Sequence, residues 1–285
     1  MSVSLKYIGA NGNELDLLHN EFFHLAHADG ITQINSEIGA ATTPNMDGDT
    51  VNTVRSQPRG IILDLRIKDT VSVEMAKRHI LRTVKPKQVG RLVFLKDDRA
   101  MDISGVVEAI TMPRFEENGV TMQITLYCSL PYWQDVENVM LEISRVIDLH
   151  YFPVDAGGLA FPAEGIPLGE YDMNMTRTYE NDGDAECGLV ITIIALADAQ
   201  NPTIYKSDGS FIGVNESMVA GDEIVINTNR GAKSITKNGV NILNKIKAGS
   251  KFFQLETGDN ELTVDTDSET KGNVYFIVSF KRRFV

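Results

Sequence analysis

The sequence predicts a mainly β chain: an N-terminal β-sandwich or split-barrel-like domain with one helix, a connecting segment, and a C-terminal β-sandwich. Three observations predict it. Apolar residues alternate with polar ones in Val3-Leu5-Tyr7, in Ile61-Leu63-Leu65-Ile67 and in Val120-Met122-Ile124-Leu126-Cys128, which is the period of a half-buried strand. Turn signals recur through the C-terminal third, at Asn181-Asp182-Gly183-Asp184, Asn201-Pro202, Asp208-Gly209, Gly221-Asp222, Asn238-Gly239 and Gly258-Asp259-Asn260. Helical spacing is strong only over residues 72–84.

Each element has its own signal. Asn11-Gly12 lies between two alternating runs and predicts a hairpin. Residues 21–27 predict a strand. The segment from Gly39 to Pro58 is polar, holds Pro44 and Asp47-Gly48-Asp49, and is short of apolar anchors, so a long loop or hairpin arm is expected. Residues 59–67 form a strand with Asp64 and Arg66 on its outer face. The helix over 72–84 presents Val73, Ala76, Ile80, Leu81 and Val84 to the core. Ser72 suits its N-cap, Glu74 its first turn, Arg82 and Lys85 its last, and Pro86 ends it. Strands follow at 91–96, 103–112 and 120–128, and Leu130-Pro131-Tyr132-Trp133 closes the first domain, residues 1–134. Residues 135–170 read as the connection. Val136, Val139, Met140, Ile143, Val146 and Ile147 fit a short helix, and the prolines and glycines beyond break any pattern. In residues 171–285, strands are expected at 189–196, on both sides of Asp208-Gly209, at 223–228, across Asn238-Gly239, at 250–255, at 261–265, and in a last strand that buries Val274, Phe276, Val278 and Phe280.

Composition narrows the function. The chain has 285 residues, is 42% hydrophobic and 23% charged, and carries a net charge of -12. That acidity argues against gripping nucleic acid, which needs clustered Lys and Arg. No apolar stretch approaches the ~20 residues of a membrane span, and Met1-Ser2-Val3-Ser4-Leu5-Lys6 lacks the apolar run of a signal peptide, so synthesis and folding in a cytoplasm are expected. Cys128 and Cys187 are read as two reduced, buried thiols.

Catalytic signatures are missing: there is no GxSxG, GxxxxGK[ST], HExxH or GxGxxG following a strand. No cofactor is implied. His24 and His27 are placed on opposite sides of their strand, which argues against a shared metal. Asp47-Gly48-Asp49 and Asn181 to Glu186 are rich in oxygen but lack the full EF-hand spacing, and Asx-rich turns form for local reasons. Trp133, the only tryptophan, is expected to pack across the domain junction. A sugar-stacking plate in the second domain would have to come from Tyr171, Tyr179, Tyr205 or Tyr275. Lys281-Arg282-Arg283 reads as a solvated basic terminus.

Several of these features together resemble the distal tail proteins of long-tailed phages and prophages. In the first domain they are the Phe22-Phe23 strand, the Asp47-Gly48 loop, the Arg59 to Ile67 strand with the helix after it, and Cys128 to Trp133. In the second they are Asn181-x-Gly183-Asp184, Asn201-Pro202, Gly221-Asp222 and Phe252-Phe253-x-Leu255-x-x-Gly258-x-Asn260. The resemblance implies a galectin-like C-terminal β-sandwich and a homo-hexameric ring at the tail tip, made in the host bacterial cytoplasm and carried in the virion. It implies partners in the tail tube protein, the tail-associated lysin or tail fibre, and a receptor-binding protein. DNA would pass through the ring without sequence-specific binding, and neither a membrane nor catalysis would be involved. Exposed strand edges have to be covered, and a closed ring of identical subunits can cover them. The candidate contact is the 39–58 arm, with Pro44, Asp47, Gly48, Asp49 and Arg55 as its marker residues. A carbohydrate-binding or adhesin module is the alternative.

Overall fold

Alternation turns directly into burial in the first unit, which comprises Met1–Val136 and Arg283–Val285 in a computed structural model. The structure describes residues 3–42, 44, 47–96, 99–116, 119–143, 145–148, 169–172, 175–267 and 273–285. The elements of this unit are β1 (Val3–Ile8), β2 (Glu14–Asp16), β3 (Phe23–Asp29), β4 (Ser36–Thr42), β5 (Asp49–Ser56), β6 (Arg59–Ile67), α1 (Val73–Thr83), β7 (Val89–Lys96), β8 (Arg99–Glu116), β9 (Gly119–Cys128) and β10 (Trp133–Asp135). An antiparallel sheet runs β2-β1-β7-β8-β9-β6-β3, with β10 pairing β8 and the final strand Arg283–Phe284. In β6, Ile61, Leu63, Leu65 and Ile67 are buried. Opposite them on β9 lie Met122, Ile124 and Leu126.

Helix α1 buries Ala76, Ile80 and the following Val84 and leaves Met75 exposed. Ser72 has the extended backbone of an N-cap but makes no side-chain cap bond; its carbonyl accepts the Ala76 amide. The other end is capped from a distance. Asn11 and Asn13, in the first hairpin turn, donate to the Arg82 carbonyl at 3.1 and 3.4 Å. Those bonds satisfy an orphan carbonyl of the last helical turn. Gly9 allows the approach, since a Cβ there would stand 2.4 Å from the Thr83 oxygen.

The second unit is Glu137–Arg282. Its six-stranded sheet orders Val139–Glu142, Val274–Phe280, Leu189–Ala195, Glu223–Asn227, Ser234–Lys237 and Val240–Asn241. A four-stranded sheet orders Thr176–Asn181, Gly258–Asp265, Thr203–Lys206 and Phe211–Gly213. One core joins them: Ile191, Ile193, Phe276 and Val278 of the first sheet share it with Ile204, Leu262 and Val264 of the second. This is a β-sandwich with alternating inner faces. No helix among the described residues is long and apolar enough to cross a membrane.

Four expectations need correction. The helix expected from Val136 to Ile147 is instead two strands, Val139–Glu142 and Arg145–Asp148. The first of these pairs with Val274–Phe280, and Val139 and Leu141 pack on the core, so an available strand edge outweighs the local helical spacing. Residues 149–168 lie outside the described residues. Of the run Ser250 to Leu255, only Leu255 pairs, bridging to the buried Cys187. Trp133 is 3% exposed and belongs to the core of the first unit, its indole 6.1 Å from the Phe94 ring. The basic terminus is not simply solvated: Arg282 donates to Asp182 at 2.6 Å, and Arg283 is buried in the final strand with its guanidinium over the Tyr132 ring.

The Gly221-Asp222 and Asn238-Gly239 turns hold each other. Asp222 accepts from the Val219 amide at 2.9 Å, from Lys237 at 2.9 Å and from the Asn238 amide group at 2.8 Å. Led by the Val219 amide, these bonds hold the Asp222 carboxyl down at about 2, against its ordinary 3.8, and Asp222 in turn raises Lys237. The Asp222 contribution is therefore complete above about pH 3.8 and is lost as pH falls through about 2. The Lys237 contribution is lost only as pH rises beyond its raised value. Asp222→Asn should lower stability at pH 6 and flatten the acid limb between pH ~4 and ~2. Urea unfolding across pH checks this; an unchanged acid limb would contradict it.

Candidate assembly surface

Among the described residues, strands β4 and β5 pair only with each other. The expected arm is therefore a regular hairpin, and it begins at Ser36, before the polar run. Apart from Gly39 and Ser56, every described residue of the two strands is exposed. Residues 43, 45 and 46, near its tip, lie outside the described residues.

The root of the arm is tightly held. Gly30, just after β3, has φ +76, and a Cβ there would stand 2.0 Å from the Gly60 carbonyl oxygen. Ile31 follows, and its carbonyl accepts two bonds: from Arg59 Nη1 at 2.7 Å and from Trp133 Nε1 at 2.9 Å. The Gln57 amide donates to the Asn35 carbonyl at 2.8 Å, and Ser56 Oγ lies 2.8 Å from the Tyr132 hydroxyl. Arg59 is 3% exposed and sits opposite Cys128 in the β6–β9 ladder. Burial lowers the guanidinium below its usual value and pushes the Cys128 thiol up to about 11, so the thiol stays protonated. Arg59 Nε and Nη2 have no partner among the described residues. The positive charge is held there by the geometry of the root rather than by a carboxylate.

The two faces of the hairpin differ. Ile38 pairs with Val54, and Ala40 with Val51. The register slips between Gly39 and Ala40, so Asn52 is an extra residue on β5. That bulge puts Val51 and Val54, three apart in sequence, on the same side. One face therefore carries Ile38, Ala40, Val51 and Val54, with Ile38, Val51 and Val54 57–64% exposed. The other carries Glu37 with Arg55, Gly39 with Thr53, and Ala41 with Thr50. A two-stranded hairpin alone in water is marginal, and an exposed apolar stripe on it indicates a surface meant for covering.

The marker residues all fall on this arm. Arg55 pairs with Glu37 at 2.6 Å, and Asp49 accepts from Thr42 Oγ1 at 2.9 Å across the last pair of the ladder. Gly48 has φ +84, and Pro44 and Asp47 are exposed in the turn. These residues shape the hairpin. The apolar stripe itself escaped the sequence reading because Val51 and Val54 break strict alternation, and a bulge cannot be read from spacing alone.

A second bulge corrects the histidine reading. The β3–β6 register shifts between Leu25 and His27, so His24 faces Arg66 and His27 faces Asp64. Both imidazoles are then on one exposed face, not opposite ones. Among the described residues no three His, Cys, Asp or Glu side chains come together as a metal would require. The Asn181 loop is built inward: its carboxamide accepts from Gly183 and donates to the carbonyls of Ala185, Leu255 and Glu256. Of the tyrosines, Tyr179 is buried, Tyr275 is pushed up to about 12 by burial and by its bond to Glu142, and Tyr205 is exposed. The Tyr171 side chain lies outside the described residues.

A mainly β chain with an exposed amphipathic hairpin offers a surface for assembly. Comparison with known proteins places it more closely. Residues 182–284 match the family described as "Siphovirus-type tail component, C-terminal domain". The whole chain matches the crystal structure of the Dit (gp 19.1) protein of phage SPP1, described as a paradigm of the hub adsorption apparatus in phages infecting Gram-positive bacteria, with a TM-score of 0.69 at 14% identity over 100% of both chains. It also matches a chain of the phage P2 baseplate in its activated conformation with Ca, with a TM-score of 0.53 at 14% identity over 100% of both. No curated protein sequence matches significantly. The chain has the fold of the SPP1 hub protein, and its resemblance to the distal tail proteins holds for the fold of the whole chain and for the sequence of residues 182–284.

Gly30→Ala should destabilise the chain by about 2 kcal/mol or more, because it combines a positive-φ position with a backbone clash. Gly48→Ala has open space around its Cβ and should cost less. Urea unfolding of both variants checks the order, and equal losses would contradict it.

Proposed function

We propose that this chain is a structural hub of a phage or prophage tail tip. Six copies close into a ring that joins the tail tube protein to the tail-associated lysin or tail fibre and to the receptor-binding protein. The first unit forms the ring, and its β4–β5 arm, marked by Pro44, Asp47, Gly48, Asp49 and Arg55, reaches the neighbouring copy. The protein is made in the host bacterial cytoplasm, works in the virion and catalyses nothing. The observation that carries this reading is the apolar stripe of Ile38, Ala40, Val51 and Val54 on a hairpin with no third strand among the described residues. Fully burying an Ile or Val side chain contributes about 1.5–3 kcal/mol, so a few such residues on each of six arms can hold a ring. The tail-component match and the hub fold support the same assignment. A net charge of -12 suits a passage that DNA crosses without adhering.

Val54→Asp tests it. In the isolated subunit the substitution should change stability by no more than about 0.5 kcal/mol, because the site is exposed. Light scattering with negative-stain imaging should show six-membered rings for the wild type and none for the variant at the same concentration. Deletion of residues 43–56 should act likewise. Rings that form unchanged in both variants would overturn the role of the arm.

A further inference from the structure

The outer face of the four-stranded sheet in the second unit carries an ordered row of side chains that the hub reading does not use. Register places Thr176 opposite Thr263, Thr263 opposite Tyr205, and Tyr205 opposite Phe211. Directly paired residues share a face, so one row crosses all four strands, about 14 Å at the usual strand spacing. At one end the hydroxyls of Thr176 and Thr263 lie 2.9 Å apart. At the other the Tyr205 and Phe211 rings lie 5.7 Å apart with a tilt of 38°. Tyr205 is 39% exposed, and its hydroxyl has no partner among the described residues.

Next to this row the same face turns acidic. Glu261 lies two residues before Thr263 and opposite Thr178, and Glu180 is opposite Asp259. All three carboxylates are on exposed residues and have no ion-pair partner among the described residues. A ring available for stacking, adjoining hydroxyls and free carboxylate acceptors call for a ligand with apolar C–H faces, many O–H donors and no negative charge. The row runs across the middle of a sheet and not along its edge, so it offers no unpaired backbone to an added strand. Unpaired carboxylates repel phosphate and sulfate, and the cation on the other side of the row, Lys247, is already bonded to the Asn201 carbonyl and the Thr203 hydroxyl and paired with Asp267, so the face disfavours nucleic acid and anionic glycans.

We infer that the Thr176–Thr263–Tyr205–Phe211 row, with Glu261 beside it, is a binding platform for a neutral saccharide. The Tyr205 ring stacks on a pyranose face, and Glu261 and the two threonine hydroxyls bond its hydroxyl groups. The argument rests on the side chains and not on the sandwich fold, which by itself says nothing of ligand.

The test applies the full chain to a printed array of neutral hexose and N-acetylhexosamine oligosaccharides with sulfated and phosphorylated controls, then titrates the best probe in solution. At least one neutral probe should bind. Tyr205→Ala and Glu261→Gln should each weaken it tenfold or more with the melting temperature unchanged, and Tyr205→Phe should keep most of the binding. Failure of every neutral probe at millimolar concentration, preference for the anionic controls, or binding that survives Tyr205→Ala would overturn the inference. Ring assembly of Tyr205→Ala, measured alongside, should match the wild type, which separates failure here from failure of the hub reading.

Discussion

The Ile31 carbonyl ties the first unit together. It accepts from Arg59 at the start of β6 and from Trp133 at the start of β10, two residues 74 positions apart in sequence. The chain leaves the sheet at that point through Gly30 and returns through Gln57, whose amide bonds Asn35. A hairpin held only by its own ladder would swing freely. The double bond to Ile31, the Ser56–Tyr132 contact and the buried Arg59 guanidinium fix where the arm begins and therefore where its stripe can be presented. Burying a cation beside a neutral thiol is costly, and the cost is offset by tying three segments at one carbonyl.

From that root the arm follows simple rules. Pairing satisfies its inner backbone groups, the Glu37–Arg55 and Thr42–Asp49 contacts finish one side chemically, and the Asn52 bulge gathers the valines on the other. The two faces cannot both be content in water. This is the physical ground for proposing an assembly role: the apolar face gains by being covered, and nothing else among the described residues of the hairpin covers it.

Much of this was legible in the sequence, for identifiable reasons. Long alternating runs, such as Ile61 to Ile67 and Val274 to Phe280, fixed their strands because period-two burial leaves no alternative face. Asn11-Gly12, Asp208-Gly209 and Asn238-Gly239 marked their hairpins because each supplies a residue that tolerates positive φ. Reading failed where long-range pairing decides. The stretch from Val136 to Ile147 has helical spacing but meets an open strand edge, and Arg283 looks solvated until its strand is seen against β10. Bulges were invisible for the same reason. Asn52 and the Leu25–His27 shift change which side chains share a face without any local signature, so both the stripe and the relation of His24 to His27 had to come from the structure.

Amide hydrogen exchange tests the central claim most directly, by comparing the unassembled subunit with the assembled particle. The account predicts fast exchange through β4 and β5 in the free subunit, slow exchange at the root around Ile31 and Gln57 in both states, and new protection of β4 and β5 on assembly. An arm equally protected in the free subunit, or still unprotected in the particle, would contradict it.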